Sequence, residues 1–387
     1  MKIAKNVTKL GTELVYDIFA KTKKLQAEGK KIIDLSLGQS AESPPRHVIE
    51  ATIKALKDGN NGYTVPNGII ECREAVSRKI KSLYNANVSP ERIFIMPGGK
   101  PTMHYAISFF GEDGVEIIYP DPGFPIYESM INYTGAKAVP YNLANNKDFK
   151  IDANKVLSLI NEKTRLLILN NPHNPTGSFT EKTEIDKLAK GLLNFPNVAI
   201  LSDEIYGRLI FEKKEFPTFL NYPDLYDRLI ILDGWSKTYA MTGWRLGWGV
   251  WPEKLVDHLF KFCVNNHSCV NAAIQYGAIS ALDGPEDSIH SMVKKFILRK
   301  NLMVDGLKKI KGIVCNESKA GFFIFPNIKG TGMNGDEFST RCLNEAGVAL
   351  IPGTAFGKFA IDNVRLNFTT SEENISNALE KINNMLG

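Results

Sequence analysis

The sequence predicts an α/β protein with a large domain built on a mostly parallel central sheet, helices on both of its faces, and a smaller α+β domain made from both chain ends. The first observation is a series of short apolar runs that alternate with helical patterns and are bounded by Gly, Pro, Asn or Asp. Most of these runs are apolar throughout, which is typical of strands covered on both faces. The 387 residues, 43% of them hydrophobic, are also sufficient for a large core.

Six apolar runs are the predicted strands of the central sheet. They span residues 92–96, 115–119, 164–170, 197–203, 228–233 and 246–251. No internal repeat, low-complexity tract or flexible linker interrupts this pattern. A helix is predicted before the strands from about Thr12 to Glu28, ending at Gly29, and a long helix after them from about Asp287 to Leu307.

The two chain ends combine helices with short strand candidates. KIIDLSLG follows the first helix, and GFFIFP and NVRLNF follow the long one. The sequence is therefore divided into a large domain, residues 41–285, and a small domain made from residues 1–40 and 286–387.

The formal charge of +5 is concentrated at one end of the chain, because the eight lysines and three acids of residues 1–31 account for all of it. A nucleic-acid surface requires a basic stripe with interleaved aromatic residues, and the remainder of the chain is neutral. The lysines are interpreted as the solvated face of the first helix. Nucleic-acid binding is therefore not expected.

The five cysteines are odd in number and widely spaced, without a C-x-x-C pair, which favours a reducing compartment. No run approaches the roughly 18 apolar residues of a membrane span, and the first twenty residues lack the apolar core of a signal peptide. The six histidines lack metal-ligand spacing. These features predict a cytoplasmic protein with neither a membrane association nor a metal site.

Polar residues directly follow four of the predicted strands, in the segments PGGK, NPHNPTG, SDEIY and GWSK. Ligands of open parallel sheets bind at the carboxyl ends of strands, so these segments are expected to form one site. Gly98 and Gly99 come where a helix would start. Glycine lets the backbone approach a phosphate, and the N–H groups of a helix N-terminus point at the anion.

Two charged residues stand in apolar surroundings. Asp203 ends a buried strand, where it either caps the following turn or pairs with a cation such as a protonated heterocyclic nitrogen. Tyr206, three residues later, could donate its phenol to a nearby oxyanion. Lys237 follows the apolar run RLIILDGW and is either an ordinary loop lysine or a group with a chemical role.

These motifs together resemble the class I/II aminotransferases, the pyridoxal-phosphate enzymes of fold type I. NPHNPTG, SDEIY, SKTYAMTGWRLG and VRLNF stand in the family's order and spacing, and GYTVPNG, DPGFPIY, AGFFIFP and GVALIPGTAFG extend the match over essentially the whole chain. The chain is similar to the subgroup of bacterial aspartate aminotransferases with a GGK loop. The resemblance implies pyridoxal 5′-phosphate as cofactor and transfer of an amino group between an L-amino acid and a 2-oxo acid such as 2-oxoglutarate.

The resemblance also implies how the cofactor is bound. Lys237 would hold it as a Schiff base and move the substrate's α-proton, and Asp203 would pair with the protonated ring nitrogen. The phosphate would be bound by Ser236, Arg245 and the backbone of Gly98 and Gly99.

Further contacts implied by the resemblance surround the cofactor ring and its phosphate. Asn174 and Tyr206 would donate hydrogen bonds to the phenolic oxygen, and Phe124 would stack on the ring. Tyr63 matches a tyrosine that reaches the phosphate of the neighbouring subunit. The resemblance therefore implies a homodimer with shared active sites.

The substrate's α-carboxylate would be clamped by Arg365, with the Gly38 backbone and Asn174 as helpers. Two segments depart from the family pattern. LSLGQS stands where relatives commonly have Gly-Glu-Pro, and Phe323 stands where a tyrosine is frequent. Neither position carries the bond chemistry, so the departures bear on substrate contacts only.

Lys100 is the main indicator of the substrate. In relatives with a GGK loop this lysine approaches the distal carboxylate of acidic substrates, which favours aspartate or glutamate. The same lysine could instead add charge to the phosphate site. Broad or aromatic specificity also stays open, because Phe124, Phe322 and Phe323 would suit larger side chains.

Two other classes of function are weighed against transamination. One is another pyridoxal-phosphate enzyme on the same scaffold, such as a C–S lyase, a decarboxylase or a cyclopropane-forming synthase. The other is a non-enzymatic sensor of the cofactor fused to a winged helix, and no winged-helix segment precedes residue 30. Transamination is the predicted function.

Overall fold

The computed structural model describes residues 1–146, 148–212 and 214–387. The strands within these ranges are β1 (Ile33–Asp34), β2 (Ile93–Met96), β3 (Glu116–Asp121), β4 (Lys137–Asn142), β5 (Thr164–Asn170), β6 (Ala199–Asp203), β7 (Leu229–Gly234), β8 (Gly247–Val250), β9 (Phe323–Ile324), β10 (Val348–Ala349), β11 (Ile351–Pro352) and β12 (Val364–Asn367). The helices are α1 (Leu14–Ala27), α2 (Arg46–Lys57), α3 (Ile70–Tyr84), α4 (Lys100–Phe110), α5 (Ile126–Thr134), α6 (Ala153–Ser158), α7 (Lys182–Leu192), α8 (Trp235–Thr238), α9 (Val256–Asn266), α10 (Ala272–Asp283), α11 (Asp287–Leu307), α12 (Gly335–Arg341) and α13 (Glu372–Leu386).

A seven-stranded sheet in the order β2-β8-β7-β6-β5-β3-β4 forms the centre of the molecule. The neighbours from β7 to β4 pair in parallel, whereas β8 is antiparallel to both β2 and β7. All six predicted strands belong to this sheet, and the predicted α/β fold with a mostly parallel sheet is confirmed. Strand β4 was not predicted. It carries Pro140 and is mostly half-buried, which is typical of an edge strand. Because its residues are not apolar throughout, the sequence pattern does not mark it as a strand.

Successive residues of the central strands point to opposite faces of the sheet, so each strand contributes to two separate cores. In β5, Leu166 and Ile168 join one buried cluster with α4, α5 and α11, whereas Leu167 and Leu169 join a second cluster with α3, α7 and α10. Both faces are therefore covered, which explains why these strands are apolar throughout.

The two chain ends meet in small sheets. Strand β1 pairs in parallel with β10, and β12 lies between β11 and β9 in an antiparallel sheet. Helix α11 spans the predicted range, and helix α1 lies within the predicted N-terminal helix. The side chain of Ser371 accepts a hydrogen bond from the backbone N–H of Asn374 and caps the last helix, α13. The pairing of β1 with β10 accords with a small domain built from both ends, although its boundaries stay a prediction.

Two surveys cover the described ranges. None of the helices found there combines the length and the apolarity needed to cross a membrane. The same residues contain no group of three or more His, Cys, Asp or Glu side chains placed to hold a metal ion.

Candidate active site

A cavity of about 480 Å³ lies at the carboxyl ends of β5, β6 and β7. Most of the predicted site residues line it: Gly38, Gly99, Lys100, Phe124, Asn174, Asp203, Tyr206, Ser236, Lys237, Arg245 and Arg365. Gly98 lies against the side chain of Arg245, and Tyr63 is exposed and does not line the cavity. The structure therefore brings residues from both chain ends, as far apart as Gly38 and Arg365, to the carboxyl ends of the parallel strands, where ligands of such sheets bind.

Lys237 lies on the short helix α8, directly after strand β7 has delivered the chain to the edge of the sheet. Its Nζ donates a hydrogen bond to the carbonyl oxygen of Gly38 at 2.6 Å. Burial lowers the pKa of this lysine to about 8, and the positive charges of Arg365 and Arg245 act in the same direction. The amine is therefore closer to its neutral, nucleophilic form near neutral pH than a surface lysine is.

Asp203 ends β6 beside Asn170, the residue opposite it on β5. The Tyr127 hydroxyl donates to Oδ2 of Asp203 at 2.7 Å, and the backbone N–H of Ile205 donates to Oδ1 at 3.3 Å. Burial raises the pKa of this carboxyl to about 6, although both hydrogen bonds and the charge of Lys237 oppose the rise. A second cation in the cavity would stabilise the ionised form, so the carboxylate is suited to bind one.

Arg365 on β12 is buried, and its guanidinium is fixed by two hydrogen bonds. Nη1 donates to Oδ1 of Asn174 at 3.1 Å, and Nη2 donates to the Ser36 carbonyl at 2.7 Å. The guanidinium carbon also lies 4.4 Å from the ring centre of Phe323 and 4.7 Å from that of Phe356.

One N–H group of the Arg365 side chain has no hydrogen-bond acceptor among the described residues. Nε of Arg365 has no hydrogen-bond partner among the described residues, and burial lowers the pKa of the side chain to about 10. A buried cation with an unsatisfied N–H favours an anionic ligand, and a carboxylate matches the planar guanidinium.

The predicted phosphate residues gather where the chain turns from β2 into α4. Gly98 has a φ of +90°, and a Cβ atom at this position would lie 2.3 Å from a terminal nitrogen of Arg245. Only glycine therefore fits here without displacing the arginine. Arg245 is exposed and donates from Nη1 to the Thr242 carbonyl at 2.8 Å, whereas the Ser236 hydroxyl is buried close to the cavity.

Hydrogen bonds between side chains and the backbone hold the loop after β5 in place. Asn171 exchanges two hydrogen bonds with the Thr180 backbone, at 2.9 and 3.1 Å, so its side chain holds the turn of this loop. The Asn174 backbone N–H donates to Oδ1 of Asn170 at 3.0 Å. This loop therefore fixes the position of Asn174, whose side-chain oxygen is already used by Arg365.

Aromatic rings form one wall of the cavity. Tyr206 packs edge-on against Phe322 and Phe323, with ring centres 5.6 and 5.9 Å apart, and burial raises the pKa of its phenol. Phe124 and Phe323 line the cavity as predicted, but Phe322 does not. Its side chain is fully buried, with its ring centre 5.7 Å from Nζ of Lys237.

Lys100, the first residue of α4, forms an ion pair with Glu13. Its Nζ also lies 5.5 Å from the ring centres of both Tyr16 and Phe124. Glu13 directly precedes α1, and its side chain is 9% exposed, compared with 41% for that of Lys100. The N-terminal segment therefore covers this end of the cavity and supplies a negative charge there.

Sequence reasoning missed several side chains of the site. Glu13 was counted only in the charge of the N-terminus, and Tyr127 and Asn170 were given no role. A signal for Tyr127 exists, because it lies three residues after Phe124, at a spacing that places both on one side of a helical turn. Glu13 carries no comparable signal, since only the folded chain brings it to Lys100.

The donors and acceptors in the cavity fit pyridoxal phosphate. An amine of lowered pKa, a buried carboxylate that a cation would stabilise, and a glycine-lined turn beside an arginine match the aldehyde, the ring nitrogen and the phosphate of this group. The unpartnered Nε of Arg365 is left for a further anion.

Comparisons with known proteins agree with this geometry. The profile of the family described as aminotransferase class I and II matches residues 30–382. An aspartate aminotransferase of Pyrococcus horikoshii is 34% identical over 99% of this chain and 97% of its own. A (5-formylfuran-3-yl)methyl phosphate transaminase of Methanocaldococcus jannaschii is 33% identical over 96% of both chains.

A solved structure extends the similarity to the whole backbone. The aspartate aminotransferase of Rhizobium meliloti superposes with a TM-score of 0.94 at 28% identity, covering 100% of this chain and 99% of that one. Profile, sequence and structure agree over nearly the full length. The chain belongs to the class I and II aminotransferases and is a pyridoxal-phosphate-dependent transaminase.

Proposed function

We propose that this enzyme transfers the amino group of an acidic L-amino acid, aspartate or glutamate, to a 2-oxo acid such as 2-oxoglutarate. The observation that carries the proposal is that the cavity presents two cationic side chains, Arg365 and Lys100, in addition to Lys237 and the arginine at the phosphate turn. A dicarboxylic substrate has two anionic groups, so each can be paired.

Pyridoxal phosphate, when bound, supplies an electron-withdrawing ring that weakens the α C–H bond of the substrate. Lys237 is proposed to hold the cofactor covalently and then to accept the α-proton at its Nζ, for which a lowered pKa is favourable. Asp203 is proposed to keep the ring nitrogen protonated. Tyr127 supports this assignment, because its hydroxyl holds the carboxylate in one orientation.

The remaining contacts are proposed to bind the cofactor and the substrate and to orient them relative to each other. Arg365 would bind the α-carboxylate, and its two bonds to Asn174 and Ser36 limit the orientation of the guanidinium. Phe124 would stack on the ring, with Asn174 and Tyr206 donating to the phenolic oxygen. The phosphate would be bound by Ser236, Arg245 and the backbone of Gly98 and Gly99. The Gly38 backbone would help to bind the substrate.

A homodimer is proposed as the functional state. Tyr63 is 95% exposed and lies outside the cavity of its own chain, as expected if it reaches the phosphate of a second copy. The preceding helix α2 exposes Ile49, Ile53 and Leu56 at helical spacing, and Val65 follows nearby. Such an exposed apolar stripe is typical of a protein interface.

The compartment proposed for the enzyme is the cytoplasm. All five cysteines have free thiols, and four of them are buried. Free, unpaired cysteines are typical of proteins that stay in reducing surroundings.

A second candidate function is a broad or aromatic specificity. It is favoured by the ion pair between Lys100 and Glu13, which satisfies the lysine without an acidic substrate. The rings of Phe124 and Phe323 in the cavity lining also suit a large side chain. Both candidates share the same bond chemistry and differ only in the side chain that the cavity accepts.

A panel of amino donors against 2-oxoglutarate tests the proposal. We expect the holoenzyme to convert aspartate or glutamate with the highest kcat/KM, and Lys100→Ala to lower kcat/KM for these donors by about 10- to 100-fold, the value of a lost charge-assisted hydrogen bond. Phenylalanine should be affected much less. Equal losses for aspartate and phenylalanine would contradict the role of Lys100, and release of ammonia without formation of glutamate from 2-oxoglutarate would contradict transfer.

A further inference from the structure

Glu13 lies at a helix start, but its side chain does not cap that helix. It precedes α1 in an extended conformation and accepts no side-chain cap hydrogen bond. Side chains at this position usually bind the free N–H groups of the first turn. The carboxylate of Glu13 instead turns into the cavity and pairs with Lys100.

The segment that carries Glu13 is fixed to the large sheet's helices. The backbone N–H of Gly11 donates to the Ser129 hydroxyl on α5 at 2.9 Å, two residues before Glu13. The side chain of Glu13 is almost fully buried, whereas that of Lys100 is partly exposed. The lysine has a long, flexible stem, so of the two partners it is Lys100 that has room to move.

The Glu13 carboxylate also acts electrostatically on two other side chains of the cavity. Its negative charge raises the pKa of both Lys237 and Arg365, against the larger lowering effect of burial. The carboxylate is therefore part of the electrostatics of the cavity. A distal carboxylate of a substrate that approached Lys100 would meet Glu13 as a competitor of the same charge.

The two classes of substrate change this pair in opposite ways. An aromatic side chain brings no charge, so it leaves Lys100 neutralised by Glu13 and no cation unpaired in the cavity. An acidic side chain must share Lys100 with Glu13 or take it away, which leaves the buried carboxylate of Glu13 with a weaker partner. Glu13 therefore favours aromatic side chains and opposes acidic ones.

We propose that Glu13 determines the side-chain specificity of this transaminase: it holds Lys100 while an uncharged or aromatic side chain is bound, and yields Lys100 to the distal carboxylate of an acidic substrate. One cavity can then accept both classes in the two halves of the reaction. This inference rests on the proposed function, in which Lys100 contacts the acidic side chain.

The Glu13→Gln variant tests the proposal through binding as well as turnover. Unreactive succinate and 3-phenylpropionate, titrated into the holoenzyme by calorimetry, represent the acidic and the aromatic class. We expect succinate to bind about 10-fold more tightly and 3-phenylpropionate several-fold more weakly, as expected for the change of one charge-assisted contact. The ratio of kcat/KM for aspartate over phenylalanine should rise in the same sense.

Asp17→Asn is the matched control, because it removes one negative charge from the exposed side of the same helix and does not contact Lys100. It should leave both affinities unchanged. If Glu13→Gln does not fold, Lys100→Met tests the same pair. It should weaken the binding of succinate more than that of 3-phenylpropionate. Adding Glu13→Gln to a folded Lys100→Met should then restore the binding of 3-phenylpropionate, but that of succinate only in part, because the repulsion is removed while the cation is still missing.

The outcomes separate this inference from the proposed function. If Glu13→Gln changes the affinities for succinate and 3-phenylpropionate by the same factor, the proposed role of Glu13 is overturned, even if aspartate remains a good donor. A wild-type holoenzyme that converts neither aspartate nor glutamate overturns the proposed function itself.

Discussion

Two consecutive carboxylates stand where β6 ends: Asp203 is the last residue of the strand, and Glu204 directly follows it. Both are buried, and burial raises the pKa of both, to about 6 and about 7. Their surroundings differ. Glu204 accepts hydrogen bonds from the hydroxyls of Ser202 and Thr218 and from the Phe219 N–H, at 2.7 to 3.0 Å. Asp203 accepts two bonds and also borders the cavity.

The difference teaches how a buried charge in this protein can be assigned to structure or to chemistry. A buried polar group that takes its hydrogen bonds from the protein is held as part of the fold, whereas a buried group that faces a cavity is available to a ligand. Buried lysines divide in the same way. Lys300 pairs with Glu317 at 2.7 Å, whereas Lys237 ends in the cavity, bonded to a single carbonyl.

The largest effect is expected for Lys237→Met. Turnover should fall by about 10⁴-fold, because the proposed proton-transfer group is lost. The apoprotein should become more stable by about 1–3 kcal/mol at pH 7, since a lysine whose pKa is lowered to about 8 is costly to bury in its charged form. Assays of the holoenzyme and denaturant unfolding of the apoprotein measure the two effects.

The matched control for this variant is Lys300→Met. It removes a buried lysine that is already paired, so it should keep turnover and lose stability. If both variants changed stability in the same direction, the distinction between a buried lysine that is paired within the protein and one that faces the cavity would not hold.

The next effect separates the two carboxylates. Asp203→Asn should lower kcat by about 10²–10³-fold, the typical cost of losing one electrostatic contact in an active site. Glu204→Gln should leave kcat nearly unchanged but lower the free energy of unfolding by about 1–3 kcal/mol, because an amide cannot accept all three hydrogen bonds. Steady-state kinetics and urea unfolding of both variants at one pH give the comparison, and a large loss of kcat in Glu204→Gln would refute it.

The smallest effect is a dependence on pH. The pKa of Glu204 is raised from an ordinary 4.5 to about 7, so the folded protein keeps this proton while the unfolded chain has lost it. The resulting stability is complete below pH 4.5 and is lost as the pH rises through 7. Glu204→Gln should therefore destabilise the protein more at pH 5 than at pH 8, by about 1–3 kcal/mol. A pH-independent difference would exclude this titration.

Much of the fold follows from local patterns in the sequence. The apolar runs predicted six of the seven central strands, because strands buried on both faces leave no polar positions to confuse the pattern. Edge strand β4 was missed for the opposite reason, since its residues are partly exposed and include Pro140. Sequence patterns thus report burial first and strand pairing only indirectly.

The sequence predicted the site residues that lie in recognisable motifs, but not those that reach the site only through long-range contacts. Lys237 and Arg365 lie in motifs that can be recognised along the chain, and the structure brings both to one cavity. Glu13 and Ser36 act through an ion pair and a backbone carbonyl that exist only after distant segments have packed together. No local pattern marks such contacts, so they could be read only from the folded chain.

The guanidinium of Arg365 also bears on how the enzyme becomes active during folding. Its two bonds join residues separated by 191 and 329 positions in sequence. Contacts of such long range close large loops of chain and tend to form late. The proposed substrate clamp is therefore expected to be among the last parts of the molecule to assemble. Regain of activity on refolding would then report the docking of both chain ends rather than formation of the central sheet.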